Sequence, residues 1–270
     1  MINLWQALVL GTIEGITEFL PVSSTGHLIV ASAALGLHGE AVNTFEVVIQ
    51  AGAVAAVAGL YRAEVWHLCR ALWTADGVGR RLWRNLLISV APAVICGAVW
   101  HDGIKTRLFG LWPVVLALAI GGVLMIGVDW WVGARNSRNG RTVDSLTPQE
   151  ALVIGLVQCL ALWPGTSRAM VTIVAGLLLG LPATMAAEYS FLLALPTLGA
   201  ATLFDLAHGG GALRQEVGVV SVACGFLAAM VVAAVTIRGF VGYLTKRGLA
   251  PFGWYRIGLA AVVWWVAVRG

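Results

Sequence analysis

Charge is scarce in this sequence. Asp, Glu, Lys and Arg make up 11% of its 270 residues, against roughly 25% in a soluble domain. With 59% hydrophobic residues and a mean hydropathy of +0.88, there is too little polar surface to coat a water-soluble fold. Long apolar runs recur along the chain, which places it in a bilayer as a multi-helix protein. A nucleic-acid partner is excluded on the same grounds: the formal charge is only +4, and most basic residues sit in three loops rather than one patch. Cysteine is also sparse. Cys69, Cys96, Cys159 and Cys224 have no metal-ligand spacing, and three lie in apolar runs, so they read as small buried hydrophobes. The first residues, MINLWQALVLGTIEG, lack a basic n-region and a small-residue cleavage site, so they do not read as a signal peptide. Tryptophan, by contrast, is plentiful, and its twelve copies read mostly as interface anchors.

Six segments read as full crossings: about 43–61, 86–101, 109–132, 187–205, 217–237 and 251–268. Two further apolar regions, 4–37 and 150–181, are interrupted by Pro21 and by Pro164-Gly165. Each half is short for a crossing, so each region reads as a re-entrant helix–loop–helix. Arg62, Arg70, Arg80, Arg81 and Arg84 fill the first long loop, Arg135, Arg138 and Arg141 the second, and Arg238, Lys246 and Arg247 the third. The loops between hold only Lys105, Arg107 and Arg214. The positive-inside rule makes the three basic loops cytoplasmic and puts both termini outside. Within loop 62–85, Trp66, Leu68, Leu72 and Trp73 are interleaved with the arginines, as in a helix lying on the membrane surface.

The chain repeats itself. QALVLG, starting at Gln6, matches EALVIG, starting at Glu150, an offset of 144. The same offset pairs Glu14 with Gln158, Phe19 with Trp163, Ser23 with Ser167, and LGL at 35–37 with LGL at 179–181. Three crossings separate the two copies, so the second enters from the opposite face. The expected fold is a single all-α membrane domain over 1–270. It is built as an inverted-topology repeat, with about 4–132 in one copy, about 150–268 in the other and a cytoplasmic linker at about 133–149. In such folds two broken segments meet near the midplane and form the site.

The broken segments carry the chemistry. In EGITEFLPVSSTGH, residues 14–27, Glu14 and Glu18 share one helix face. Two close acids at membrane depth need a cation, a proton or an arginine. Pro21 ends the helix, and Ser23, Ser24 or Thr25 can cap the next one. The free N–H groups of that new first turn form an anion site, with His27 beside them. In the second segment Pro164, Gly165, Thr166, Ser167 and Arg168 repeat the design. Here the acids are replaced by Gln158 and Leu162, and an arginine is added whose planar fork suits phosphate. Together the two breaks make a phosphate-handling set in which Glu14 and Glu18 can hold a divalent metal against a diphosphate. Glu46, Gln50, Glu188 and Ser190, also polar and also on crossings, read either as groups supporting the site or as purely structural ones.

These residues resemble the undecaprenyl-diphosphate phosphatase family, also called bacitracin-resistance proteins. EGITEFLPVSSTGH followed by TFEVVIQ, and LALWPGTSR followed by EYSFLL, carry the resemblance over nearly the whole chain. It implies removal of the terminal phosphate from the C55 isoprenoid diphosphate, on the periplasmic side of the bacterial inner membrane. That reaction recycles the carrier lipid for peptidoglycan and other wall polymers. The family's motif residues fall on Glu14, Glu18, Ser23, Ser24, Thr25, His27, Ser167 and Arg168, and the resemblance implies dependence on Mg2+ or Ca2+. Two departures bear on substrate preference and full activity more than on reaction class. Ala169 stands where a serine is common, and Gly180-Leu181-Pro182-Ala183 lacks the arginine often found after LxxG.

The expected catalytic group is Ser24, His27, Glu18 and Arg168, with Ser23, Thr25, Thr166 and Ser167 binding substrate and Glu14 and Glu18 holding metal. Ser24 is the expected nucleophile, with His27 or Glu18 as base. A phosphohistidine on His27 and direct attack by a metal-bound water stay open at this point. So does a different class, a flippase for a polyprenyl phosphate lipid, because inverted repeats with broken helices are also a transporter architecture. The activated hydroxyl favours the enzyme. Whether the chain forms a homodimer is not legible in the sequence.

Overall fold

A computed structural model describes residues 2–74, 76–108, 110–133 and 140–269, excluding the side chains of 101–102, 104–107, 204–216 and 266–269. The expectations placed on Lys105, Arg107, Arg135, Arg138, Arg214 and part of the 133–149 linker lie outside that description. Among the described residues the fold is all-helical. In chain order the α-helices are α1 Leu4–Thr17, α2 Ser24–Ala34, α3 Glu40–Leu60, α4 Arg62–Ala71, α5 Gly77–Leu108, α6 Leu111–Gly133, α7 Pro148–Gln158, α8 Arg168–Leu178, α9 Ala183–Glu216, α10 Val219–Leu244 and α11 Ala250–Arg269. Short 3-10 turns cover Val143–Ser145 and Cys159–Leu162. Five helical stretches, within α3, α5, α6, α9 and α10, are long and apolar enough to cross a membrane.

Local chemistry sets the helix ends. α1 starts at a capping box in which Asn3 and Gln6 satisfy each other's backbone N–H. At the equivalent place α7 starts at a capping box of Thr147 and Glu150, with Pro148 at its first position. α2 and α8 are each 11 residues long, begin 144 positions apart, and are capped by Ser23 and Ser167. Those two serines are the described non-glycine residues with positive φ, at 73° and 71°. Gly36 and Gly180, again at the same offset, take the positive φ that follows each helix. The repeat in the letters is thus a repeat in backbone conformation.

The hairpins are held by close helix crossings. α1 packs on α10, α7 on α5, α3 against both α9 and α10, and α6 on α11. The last glycine of each matched hexapeptide makes the crossing possible. A Cβ on Gly11 would overlap the carbonyl of Gly225 in α10, and one on Gly155 would overlap the carbonyl of Ser89 in α5. The main core lies among α3, α8, α9 and α10, where Phe191 meets Phe19 edge-on at 5.4 Å. Asp129 of α6 caps the start of α11 through the Ala250 N–H, at 3.0 Å. Arg141 closes the end of α8 through the Leu179 carbonyl and also pairs with Glu150. Large apolar side chains such as Trp130, Val123 and Leu203 point outward, as expected when the solvent is lipid.

Several boundaries move. The crossing read as 86–101 begins at Gly77 and kinks at Trp100. Arg80, Arg81 and Arg84, taken as loop, sit on its first turns, because a helix can continue past the apolar core with its arginines at the interface. The surface helix read within 62–85 is α4, with Trp66 exposed and Trp73 and Leu72 exposed just beyond it, while Leu68 turns inward. The cysteines are not core residues: Cys69 is exposed, and Cys96, Cys159 and Cys224 are half-buried.

Candidate active site

The first break starts at the end of α1. Glu14 and Glu18 are one turn apart, and both are buried. Beyond Pro21 the chain turns through Ser23. Its positive φ costs about 1–3 kcal/mol in a non-glycine residue, yet it lets the hydroxyl accept the Gly26 N–H at 3.3 Å and cap α2. The N–H groups of Ser24 and Thr25, at the start of α2, then have no acceptor within the helix. Ser167 repeats this, accepting the Met170 N–H at 3.2 Å. Two helix N-termini with strained serine caps thus flank one region, a geometry suited to an anion.

Glu18 is the hinge of the site. Its Oε2 accepts the Ser24 hydroxyl at 2.6 Å, and its Oε1 accepts Arg168 Nη2 at 2.9 Å. One carboxylate therefore joins a hydroxyl in the first break to a guanidinium in the second. Arg168 Nη1 reaches the Ser190 carbonyl at 2.9 Å and its hydroxyl at 3.3 Å. Ser190 and Thr172 bond each other at 2.7 Å. The guanidinium lies over the Phe19 ring, 5.4 Å from its centroid. Its Nε–H, however, is buried with no partner.

Glu14 differs from its repeat counterpart. Gln158 is buried and donates to the Ser89 carbonyl at 3.2 Å. Glu14 is 0% exposed, and neither of its oxygens has a hydrogen-bond partner. An ionised carboxylate left so costs several kcal/mol, so this position asks for a cation or a proton. Glu46, read as supporting or structural, accepts the Ser32 hydroxyl at 2.8 Å.

His27 is engaged elsewhere. Its Nδ1 lies 2.7 Å from the Ser23 carbonyl and its Nε2 lies 2.7 Å from the Tyr255 hydroxyl, with the two rings stacked. A carbonyl only accepts, so Nδ1 carries the proton, and Nε2 of the neutral ring accepts from Tyr255. The Ser24 hydroxyl is hydrogen-bonded to Glu18, not to His27. Replacing Tyr255 with Phe keeps the stack and removes the hydroxyl. Stability is expected to fall by about 0.5–1.5 kcal/mol, the net value of one hydrogen bond, read as a lower unfolding temperature in detergent.

Of the remaining sequence-predicted residues, Thr166 is buried in the second break and Thr25 is exposed on the first turn of α2. Two residues escaped sequence reasoning: Tyr255 and Arg256, both on α11. Arg256 is fully buried. It donates to the Gly165 and Ala117 carbonyls at 2.9 Å each, and to the Pro21 carbonyl at 3.4 Å. One side chain thus fastens the turns of both breaks. A lone arginine in an apolar helix is costly unless paired, and that cost was the available signal.

Fold and site together define a class: a polytopic membrane protein in which two interrupted helix pairs bring together a hydroxyl, a carboxylate and an arginine. The chain belongs to the family described as bacitracin resistance protein BacA, whose model matches residues 7–262. It is similar to the undecaprenyl-diphosphatase of Sorangium cellulosum, 48% identical over 97% of this chain and 86% of that protein. The undecaprenyl-diphosphatase of Nitrosomonas europaea is 42% identical over 99% and 96% of the two chains. Undecaprenyl-diphosphatase 3 of Acinetobacter baylyi is 38% identical over 98% of each.

Proposed function

We infer that this chain is an undecaprenyl-diphosphatase, releasing inorganic phosphate from undecaprenyl diphosphate and leaving undecaprenyl phosphate. The observation that carries this reading is Glu18, hydrogen-bonded to Ser24 on one side and ion-paired with Arg168 on the other. A flippase needs a phosphate site, but it has no use for a hydroxyl held on a buried base.

The diphosphate would sit between the N-termini of α2 and α8. Ser24 Oγ attacks the terminal phosphorus, and Glu18 Oε2 takes the hydroxyl proton. The oxygen–phosphorus bond to Ser24 forms as the anhydride bond breaks, and undecaprenyl phosphate leaves with the bridging oxygen. Arg168 Nε–H and the free N–H groups of the two helix starts stabilise the charge on the phosphoryl oxygens. Water then attacks the phosphoserine, phosphate leaves, and the proton held on Glu18 returns to Ser24.

Glu14 fits a divalent cation: its two oxygens are buried and unpartnered, while both oxygens of Glu18 already accept bonds. Mg2+ is commonly bound by one or two carboxylates together with substrate phosphates, so Glu14, with Glu18 secondary, would hold it. The ion supplies charge neutralisation to the diphosphate. Glu14→Gln is expected to raise the Mg2+ or Ca2+ concentration for half-maximal phosphate release at least about tenfold, a loss of about 1.4 kcal/mol in binding. An unchanged titration curve would remove Glu14 from the metal role.

The reading extends to topology. α11 serves as the sixth crossing beside the five long apolar stretches, and the α1–α2 and α7–α8 pairs are re-entrant hairpins related by inverted topology. The matched caps, positive-φ serines and helix bounds support this. With the arginine-rich ends cytoplasmic, the site opens toward the periplasm. The test is phosphate release by purified protein from C55 and C15 isoprenoid diphosphates, with and without Mg2+ or Ca2+. Metal-dependent release is the expected result. Folded protein that releases no phosphate from either would instead favour lipid translocation.

A further inference from the structure

Two hollows on the outer surface adjoin at Ile88 of α5. The first, about 440 Å³, lies between the end of α4 and the first turns of α5, with Arg80, Arg84, Leu72 and Leu87 in its wall. The second, about 690 Å³, runs on between α5 and α7 past Pro92, Ile95, Leu152 and Leu156, and no charged side chain lines it. Arg80 and Arg84 are one turn apart, so both guanidinium groups serve the same mouth. Arg80 is steadied there by its Nε bond to the Ala71 carbonyl at 3.2 Å. Trp83 pins the α4 wall to α5 through the Leu68 carbonyl at 2.7 Å. Trp73, next in sequence to the lining Leu72, and Trp66 of α4 are 87% and 70% exposed, as indole rings are where they meet lipid headgroups.

Charge at one end and, Gln149 apart, an apolar lining at the other match one amphiphile. Arg84 to Cys96 spans about 18 Å of helix at about 1.5 Å per residue. Half of a hydrocarbon core is about 15 Å. A headgroup at the arginines therefore puts its tail in the groove and its tail end near the midplane. We propose that this composite groove is a binding site for an anionic glycerophospholipid of the cytoplasmic leaflet, its phosphate on Arg80 and Arg84 and one acyl chain between α5 and α7. Guanidinium groups favour a phosphate oxygen pair over a zwitterionic head, whose own cation repels them. The chain would brace α7, the inbound arm of the second hairpin, on a face remote in sequence from Ser24 and Glu18. The proposal rests on the cytoplasmic placement of these arginines and is independent of the catalytic assignment.

The test is native mass spectrometry of the full chain released from micelles containing phosphatidylglycerol or phosphatidylcholine. The unaltered protein is expected to retain phosphatidylglycerol preferentially. The Arg80→Gln/Arg84→Gln pair should weaken that retention at least about tenfold, as two lost headgroup contacts imply. The Arg238→Gln/Arg247→Gln pair, the same charge change elsewhere, should leave it unaltered. Ile95→Trp, which fills the groove without touching charge, should also reduce retention, and it reads the tail contact should the arginine pair fail to fold. Equal retention of both lipids would overturn the proposal, as would an equal loss in the Arg238/Arg247 pair. Undiminished retention of phosphatidylglycerol in the Ile95→Trp variant would overturn the placement of the acyl chain between α5 and α7.

Discussion

Glutamine at position 18 is expected to lower phosphate release by about 10²–10⁴-fold, the usual contribution of a general base. Glu18 Oε2 accepts the Ser24 hydroxyl at 2.6 Å. Glutamine can still accept that bond, so Ser24 stays in place, but the amide cannot carry the proton away. The same change leaves the Arg168 guanidinium, whose side chain is only 8% exposed, without its counter-charge. Breaking a buried pair from one side costs about 3–5 kcal/mol, whereas removing both partners is often close to neutral. Glu18→Gln should therefore lower the unfolding temperature in detergent. Glu18→Gln combined with Arg168→Gln should recover much of that stability and none of the activity. Recovery of activity in the double variant would mean that the pair is only a structural strut.

Arg256→Lys is expected to be nearly as damaging, through the shape of the site. The guanidinium reaches carbonyls in the first break, the second break and α6 from one buried position. A single ammonium on a shorter stem cannot span these directions. Each buried carbonyl left without a donor costs about 1–3 kcal/mol. The two breaks would lose their common fastening, and displacement of the Ser24 and Arg168 helix starts by even 1 Å can cost about 10²-fold in rate. The loss should fall mainly on kcat, since Arg256 acts on the turns that carry the reacting groups. A change confined to KM would instead place it in substrate binding.

The active-site groups divide by how far they are spaced along the chain. Glu14, Glu18, Ser23, Ser24 and His27 lie within one break, and Thr166, Ser167 and Arg168 within the other, so each set was legible as a local pattern. The offset of 144 predicted that the sets meet, and Glu18 with Arg168 is that meeting. The partner of Ser24 was left between His27 and Glu18, because His27 is three residues on along α2 and Glu18 lies just before the break. The decision depends on Tyr255, 228 residues from His27, whose hydroxyl occupies Nε2. Arg256 escaped for a similar reason: its three acceptors are backbone carbonyls, which leave no trace in side-chain composition. The start of α5 was misplaced because arginines were read as loop, when the helix simply carries them out of the apolar layer.

The most direct test of the account is phosphate release from undecaprenyl diphosphate by Ser24→Ala, purified and folded, beside the unaltered protein. The hydroxyl is a small buried group whose loss leaves Glu18 paired with Arg168, so the unfolding temperature should hardly move. The account predicts a fall in kcat of about 10³-fold or more, as for other essential nucleophiles, with KM little changed. Turnover that stays within about tenfold of the unaltered enzyme, a barrier change of only about 1.4 kcal/mol, would contradict the assignment of Ser24 as the attacking group.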